Sequence, residues 1–514
     1  MVNTVKTTTV IGLNAYIVSV ETDVVNSLPA ISIVGLPDAS VNEARDRVKS
    51  AIKNSGFTFP AKKVIINLAP ADLKKVGTSF DLPIAVGILT EEEVLLPEKT
   101  KNYAFLGELS LDGSIRGVNG VLPLVLGLKE AGIKNVIVPQ ANVNEAALCV
   151  GINVYGAKHL TEVVNHFTES PIPKTTVDVQ AYLTKPTEQI YTYDFKDVKG
   201  QKKAKKALEI AAAGGHNILM TGSPGSGKTL MAKCFSSILP PLELEEALEL
   251  TKIYSICGLL SDNEPLMVKR PYRAVHHTAS ANGIIGGGST PTPGEITLAN
   301  RGVLFLDEMA EFPRQVLEVL RQPLEDGEIV ISRAKHSIKY PAKFILLGAM
   351  NPCPCGFLGD KEKPCTCTDF QISRYLAKLS GPLLDRIDIQ VEVPRLTPTE
   401  LLNSTAEEET SETIRNRVIK ARKIQIERYK NEKILTNSEL SSKLIKKYCP
   451  IDEKSREMLK IAIVKYQLSG RRYDRILKLA RTIADLAESE QIQQIHLMQA
   501  LQFKMFDPEN YRKG

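Results

Sequence analysis

No stretch of this chain approaches the roughly 20 consecutive apolar residues that a membrane-spanning helix needs. The first residues (MVNTVKTTTVIGLNAYIVSVETDV) lack the unbroken apolar core of a secretory signal. They carry one early lysine and alternate polar with apolar residues, the pattern of a first pair of β-strands. A large charge imbalance is also missing: 65 Lys and Arg against 59 Asp and Glu leave +6 on 514 residues. That permits contact with nucleic acid without arguing for it. Cysteine is sparse except in one place, where four of the eight fall between Cys353 and Cys367. Such clustering speaks against a disulfide framework and for a metal site. Internal repeats are lacking too. These absences predict a cytoplasmic chain with no membrane partner, of about three domains at roughly 150 residues each.

What is present changes character along the chain. Residues 1–168 read as an α+β unit, with strands at 31–35, 63–69 and 135–139 and a helix over 40–56. The polar, proline-bearing segment 169–189 reads as a linker. Over 190–396, short apolar strands (217–221, 302–306, 343–348) alternate with helices, which predicts a parallel sheet covered on both faces. From 397 to 514 the chain reads as helical. Asn437 is placed to cap a helix carrying Leu440, Leu444, Ile445 and Tyr448, and a further helix carries Ile476, Leu479, Ile483 and Leu486.

The chemistry concentrates at the ends of those apolar strands. After NILMT comes Gly222, Ser223, Pro224, Gly225, Ser226, Gly227, Lys228 and Thr229, then a helix. Glycines let the backbone wrap a phosphate with its N–H groups pointing inward, and the helix N-terminus adds partial positive charge. Lys228 is expected on the β- and γ-phosphates of ATP, and Thr229 on Mg²⁺. The strand GVLFL ends in Asp307 and Glu308, expected to hold Mg²⁺ and to activate the attacking water, respectively. The strand KFILLGAM ends at Asn351, a neutral amide suited to the γ-phosphate or the lytic water. Cys353, Cys355, Cys365 and Cys367 form a C-x-C…C-x-C pattern whose four thiolates suit a structural, tetrahedral Zn²⁺. Residues 274–288 are glycine-rich and read as a projecting loop, and 328–344 read as a hairpin around SRAKHS.

Three stretches carry a family resemblance over almost the whole chain: RPYRAVHHTASANGIIGGGSTPTPGEITLANRGVLFLDE, AMNPCPCG and SGPLLDRIDIQVEVP. The chain resembles the AAA+ branch that contains magnesium-chelatase motor subunits, and most closely the ComM/YifB proteins. That likeness implies an α/β fold: an AAA+ P-loop domain with a parallel sheet and a C-terminal helical lid, preceded by a Lon-protease-like α+β domain. It implies a homo-hexameric ring whose ATP sites are shared between neighbours, with Arg386 as the arginine finger and Arg471 as the lid sensor. Arg472 and Arg475 stand beside Arg471 as alternatives. Similar proteins aim the hairpin at the ring pore, where Arg333, Lys335 and His336 would meet a DNA phosphate backbone. In the Lon-like region Ser79 falls at the nucleophile position, but Leu122 occupies that of the lysine, which implies a non-catalytic module. The implied activity is DNA translocation, a helicase that drives branch migration on single-stranded or branched DNA during natural transformation. A chelatase motor and an ATP-gated scaffold are the alternatives.

Overall fold

The computed structural model describes residues 3–184, 192–261, 264–288, 292–332, 337–360, 362–397, 408–466 and 468–503. They form two compact units, Met1–Lys185 with Glu243–Val268, and Pro186–Leu242 with Lys269–Gly514. Among the described residues no helix is long and apolar enough to cross a membrane.

The first unit is built on a mixed eight-stranded sheet. Its alternating N-terminus forms the antiparallel pair Asn3–Ile11 and Asn14–Val25, turned at Gly12, whose φ of 66° suits a two-residue hairpin loop. The helix Ala39–Asn54 starts where Asp38 accepts from the Val41 amide at 2.9 Å. Ser79 is buried just ahead of the helix Asp81–Glu91, and Leu122 is fully buried in the helix Val121–Glu130. The position that the peptidase resemblance gives to a lysine is thus filled by a core side chain.

Two expectations need correction in this unit. The linker at 169–189 is partly built into the fold. Lys174–Thr175 adds an antiparallel edge strand beside Asn153–Ala157, and Val179–Thr184 is helical. Residues 243–268, read as part of the P-loop region, pack instead with the N-terminal unit. Their helix Leu244–Ile256 opens on a capping box of Glu243 and Glu246 and buries Leu250 and Ile253. Glu145, itself buried, accepts from Ser255 Oγ and from the Leu122 amide, tying the helix down.

The second unit carries a five-stranded sheet in the order Tyr272–Val275, Val303–Leu306, Ile345–Met350, Ile218–Thr221, Ile389–Glu392, every pair parallel. The three strands expected from sequence lie side by side. Tyr272–Val275 was not expected: the start of the stretch read as a loop over 274–288 is an edge strand, because Tyr272 and Val275 suit a pleated, half-buried surface. The helices Ser411–Tyr429 and Gly470–Leu486 share one apolar core with the helix Lys202–Gly214 and the sheet.

A chain of buried polar groups joins this helical region to the sheet. His216 lies 3.4 Å from Asp388 and 2.7 Å from Thr482, and Asn437 donates to Thr482 at 3.0 Å and to Asp485 at 2.9 Å. Asn437 therefore does not cap the following helix. It is fully buried, and Ser441 caps Ser442–Tyr448 by accepting from the Leu444 amide. Asp485 also receives two bonds from Arg428, at 2.9 and 2.5 Å, and one from Arg481 at 3.1 Å. Replacing Asp485 with Ala leaves two largely buried guanidinium groups without their acid. The expected loss is about 3–5 kcal/mol, measured as a lower urea midpoint with little change in slope.

Candidate nucleotide site

The parallel ladder brings three strand ends to one edge. Thr221 is in register with Met350, and Leu306 with Gly348, so the phosphate loop, Asn351 and the acidic pair emerge together. Gly222 sits where a Cβ would come within 2.1 Å of the Val393 carbonyl oxygen, so no side chain fits. Gly225 and Gly227 have open space around them but φ of 78° and 93°, so there the backbone conformation asks for glycine. Gly227 leads into the helix Lys228–Phe235, whose first amides face the loop. Ser226 Oγ is buried without a hydrogen-bond partner among the described residues, a polar group left open to a ligand in the loop.

Lys228 is buried in this cradle. Its Nζ donates to the carbonyls of Gly222 at 2.7 Å and Ser223 at 3.0 Å, and to Asn351 Oδ1 at 3.3 Å. Burial lowers its pKa to about 8, against the opposing pull of Asp307 and Glu308. Thr229 Oγ1 donates to Asp307 Oδ2 at 2.8 Å. A hydroxyl and a carboxylate at that spacing are hard oxygen donors that fit Mg²⁺. Glu308 follows at φ 50°, a conformation rare for a side chain of this kind, with its amide donating to Asp307 Oδ1 at 3.0 Å.

His277 was missed in the sequence. Its Nδ1 lies 3.5 Å from Glu308 Oε2, and its ring is 4.1 Å from that of His276. No local signal pointed to it: only the parallel pairing of Tyr272–Val275 with Val303–Leu306 places the residues after Val275 at the same edge.

The four cysteines converge as expected from their pattern, with all four sulfur atoms within 4.8 Å of one another. Cys353 Sγ is 3.4 Å from Cys355 Sγ and 3.6 Å from Cys365 Sγ, and Cys355 is 3.5 Å from Cys365. Zinc–sulfur bonds of about 2.3 Å in a tetrahedron give edges of about 3.8 Å, so the set fits Zn²⁺. Although burial opposes it, amide donors from Phe357 and Thr366 draw the Cys355 thiol down to about 6, while burial pushes Cys365 and Cys367 up.

Arg386 and Arg471 meet on one acid. Arg386 is buried and paired with Glu325, and Arg471 reaches the other Glu325 oxygen at 3.5 Å. Burial, then Arg321, Arg471 and Arg475, lower the Arg386 pKa. Arg472 pairs with Asp385 at 3.0 Å and Arg475 with Asp388 at 3.5 Å. The hairpin is Glu328–Ser332 against Ser337–Pro341, antiparallel in register to Ser332↔Ser337. Arg333, Lys335 and His336, the expected DNA contacts, lie outside the described residues.

Three family descriptions match successive parts of the chain, one of them running through residues 243–268. The family described as "Magnesium chelatase, subunit ChlI" matches residues 194–401, "Subunit ChlI of Mg-chelatase" matches 20–142, and "Magnesium chelatase, subunit ChlI C-terminal" matches 408–504. The chain is 44% identical over 498 residues to "Competence protein ComM" of Haemophilus influenzae, covering 96% of this chain and 95% of that one. It is 43% identical over 509 residues to "Uncharacterized protein YifB" of Salmonella typhimurium, covering 98% and 97%. The "Magnesium-chelatase 38 kDa subunit" of Rhodobacter capsulatus is 27% identical over 179 residues, covering 31% of this chain and 50% of that protein.

The depressed Lys228 pKa sets a pH dependence. Below pH about 8 the free site holds an ammonium ready for phosphate; above it, binding must first restore the proton. Nucleotide Kd, measured with a fluorescent ATP analogue, should rise by up to roughly tenfold per unit above that point. Lys228→Arg should show no inflection there, because arginine stays charged.

Proposed function

The chain belongs to the magnesium-chelatase-like AAA+ family of ComM and YifB proteins, and from that premise we propose that it is an ATP-hydrolysing ring motor that moves along DNA. The observation that carries the ATPase reading is the convergence of Lys228, Thr229, Asp307 and Asn351 through direct hydrogen bonds at one sheet edge. Family membership also fits ATP and Mg²⁺.

In this reading the amides of the 222–229 loop bind the phosphates and Lys228 leaves its carbonyl partners for the β- and γ-phosphates. Mg²⁺, held by Thr229 and Asp307, neutralises phosphate charge when bound. Glu308 takes a proton from the attacking water, and His277 restrains its carboxylate until the site is filled. Asn351 orients the γ-phosphate without repelling it. Arg386 leaves Glu325 to complete the site of the adjacent subunit in a hexamer, and Arg471 reaches the γ-phosphate of its own. The four cysteines hold a structural Zn²⁺.

DNA as the track is supported by the basic hairpin residues Arg333, Lys335 and His336 and by the competence function in the name of the Haemophilus relative. Contacts of that kind grip phosphates without reading sequence. Branch migration of recombination intermediates during natural transformation, in the cytoplasm, is the task this implies. The chelatase reading draws on the family descriptions, and a scaffold reading needs only ATP-gated assembly.

Glu308→Gln should bind ATP and fail to hydrolyse it, and Arg386→Ala should do the same. Mixing the two variants should restore part of the wild-type ATPase rate, because some interfaces regain both groups. A mixture that co-assembles yet never exceeds the sum of its parts removes the shared site. Forked DNA should stimulate ATP turnover of the wild-type protein. Changing Arg333 and Lys335 together to Ala should abolish that stimulation, keep basal turnover, and flatten log K against log salt by roughly 0.7–0.9 per lost contact. A wild-type protein indifferent to every DNA form favours the chelatase or scaffold.

A further inference from the structure

We propose that the four-cysteine cluster is a metal-dependent brace for the phosphate loop, so that Zn²⁺ and nucleotide strengthen each other's binding without touching. The proposal rests on the reading of both sites given above. Its basis is that the segment running from Cys353 to Cys367 leans on the phosphate loop at two separate points.

Asp360, midway between the cysteine pairs, accepts from Ser223 Oγ at 2.7 Å through Oδ2. Its other oxygen accepts from the amides of Glu362 and Lys363 at 2.9 and 3.0 Å, so one carboxylate organises its own turn and grips the loop. Ser223 is buried at this contact. Gly356, one residue past Cys355, presses on the loop tip: a Cβ there would fall 2.6 Å from Pro224 Cδ. Only Pro352 separates the segment from Asn351, which already holds Lys228.

Among the described residues, few side chains of this segment are packed away from solvent. Pro352, Cys353 and Gly356 are buried, whereas most of the residues from Phe357 to Cys367 are exposed or half-exposed. Its two ends are joined by sulfur, with Cys353 3.6 Å from Cys365 and the Cys355 amide 3.3 Å from Cys367 Sγ. Four thiolates on one Zn²⁺ fasten those ends and present Asp360 and Gly356 to the loop. With the metal gone, the ends part and the loop loses its backing. A phosphate loop held in its binding shape loses less freedom when nucleotide arrives. The effect runs both ways, because coupling between two binding sites is reciprocal.

The test uses the full chain, purified reduced, with zinc content measured. A chelator removes zinc and is itself removed, Mg²⁺ is restored, and the Kd of a fluorescent ATP analogue is compared before and after. Stripping should weaken binding about tenfold, the effect of one charge-assisted hydrogen bond, and added Zn²⁺ should reverse it. In competition with a chromogenic chelator, zinc should be held tighter by the same factor when the analogue is bound. Ser223→Ala and Asp360→Ala should each retain one zinc per chain and show a stripped-to-loaded Kd ratio much closer to one. Equal affinity in loaded and stripped wild-type protein overturns the brace and leaves both sites standing. A loss on stripping that is undiminished in both variants marks general unfolding and overturns it too. Reduced protein without zinc overturns the metal reading and the brace with it, while analogue binding still reports on the nucleotide site. Analogue binding absent from both forms overturns the nucleotide reading instead.

Discussion

The in-register pairing of Ile218–Thr221, Ile345–Met350 and Val303–Leu306 is the constraint on which the rest of the site depends. Parallel ladders fix where each strand stops relative to its neighbours: Thr221 ends level with Met350, and Leu306 level with Gly348, two residues earlier. Their side chains are almost wholly buried, and the polar residues that follow emerge where the sheet meets solvent, with Asp307 and Asn351 half-buried and Glu308 exposed. One register step in Val303–Leu306 would carry Asp307 away from Thr229 and turn every side chain of the strand to the opposite face. Lys228 shows the electrostatic result. Held among carbonyls and partly stripped of water, its ammonium is destabilised and so has much to gain from a phosphate.

Two further polar clusters lie within the same unit. The polar chain Asp388–His216–Thr482–Asn437–Asp485 ties the C-terminal helices to the start of the strands Ile218–Thr221 and Ile389–Glu392. Each member is satisfied by the next, so loss of one orphans its neighbours in a low-dielectric setting. Glu325 gathers Arg386 and Arg471, two cations that would otherwise repel each other among Arg321 and Arg475. In the proposed motor both arginines would have to leave Glu325 before reaching a nucleotide phosphate.

Much of this was legible in the sequence. Glycine spacing with a lysine, apolar strands ending in Asp307–Glu308 and Asn351, and paired cysteines each follow from local chemistry that tolerates few substitutes. The hairpin strands were legible from their alternation. Sequence therefore determined the residue types of the nucleotide edge, the sulfur set, and the order of strand and helix around them.

Tertiary structure alone decided which distant groups meet. That Asp360 bonds Ser223 across 137 positions of chain, or that His277 lies against Glu308, depends on strand order, which local periodicity does not encode. Asn437 looked like a helix cap because a surface cap and a buried amide use the same hydrogen-bonding groups; packing against Tyr429 and Thr482 chose the second. The helix Leu244–Ile256 was assigned to the wrong unit for a related reason. Its amphipathic pattern shows that it needs an apolar partner, and the surface that satisfies it belongs to residues more than a hundred positions earlier in the chain.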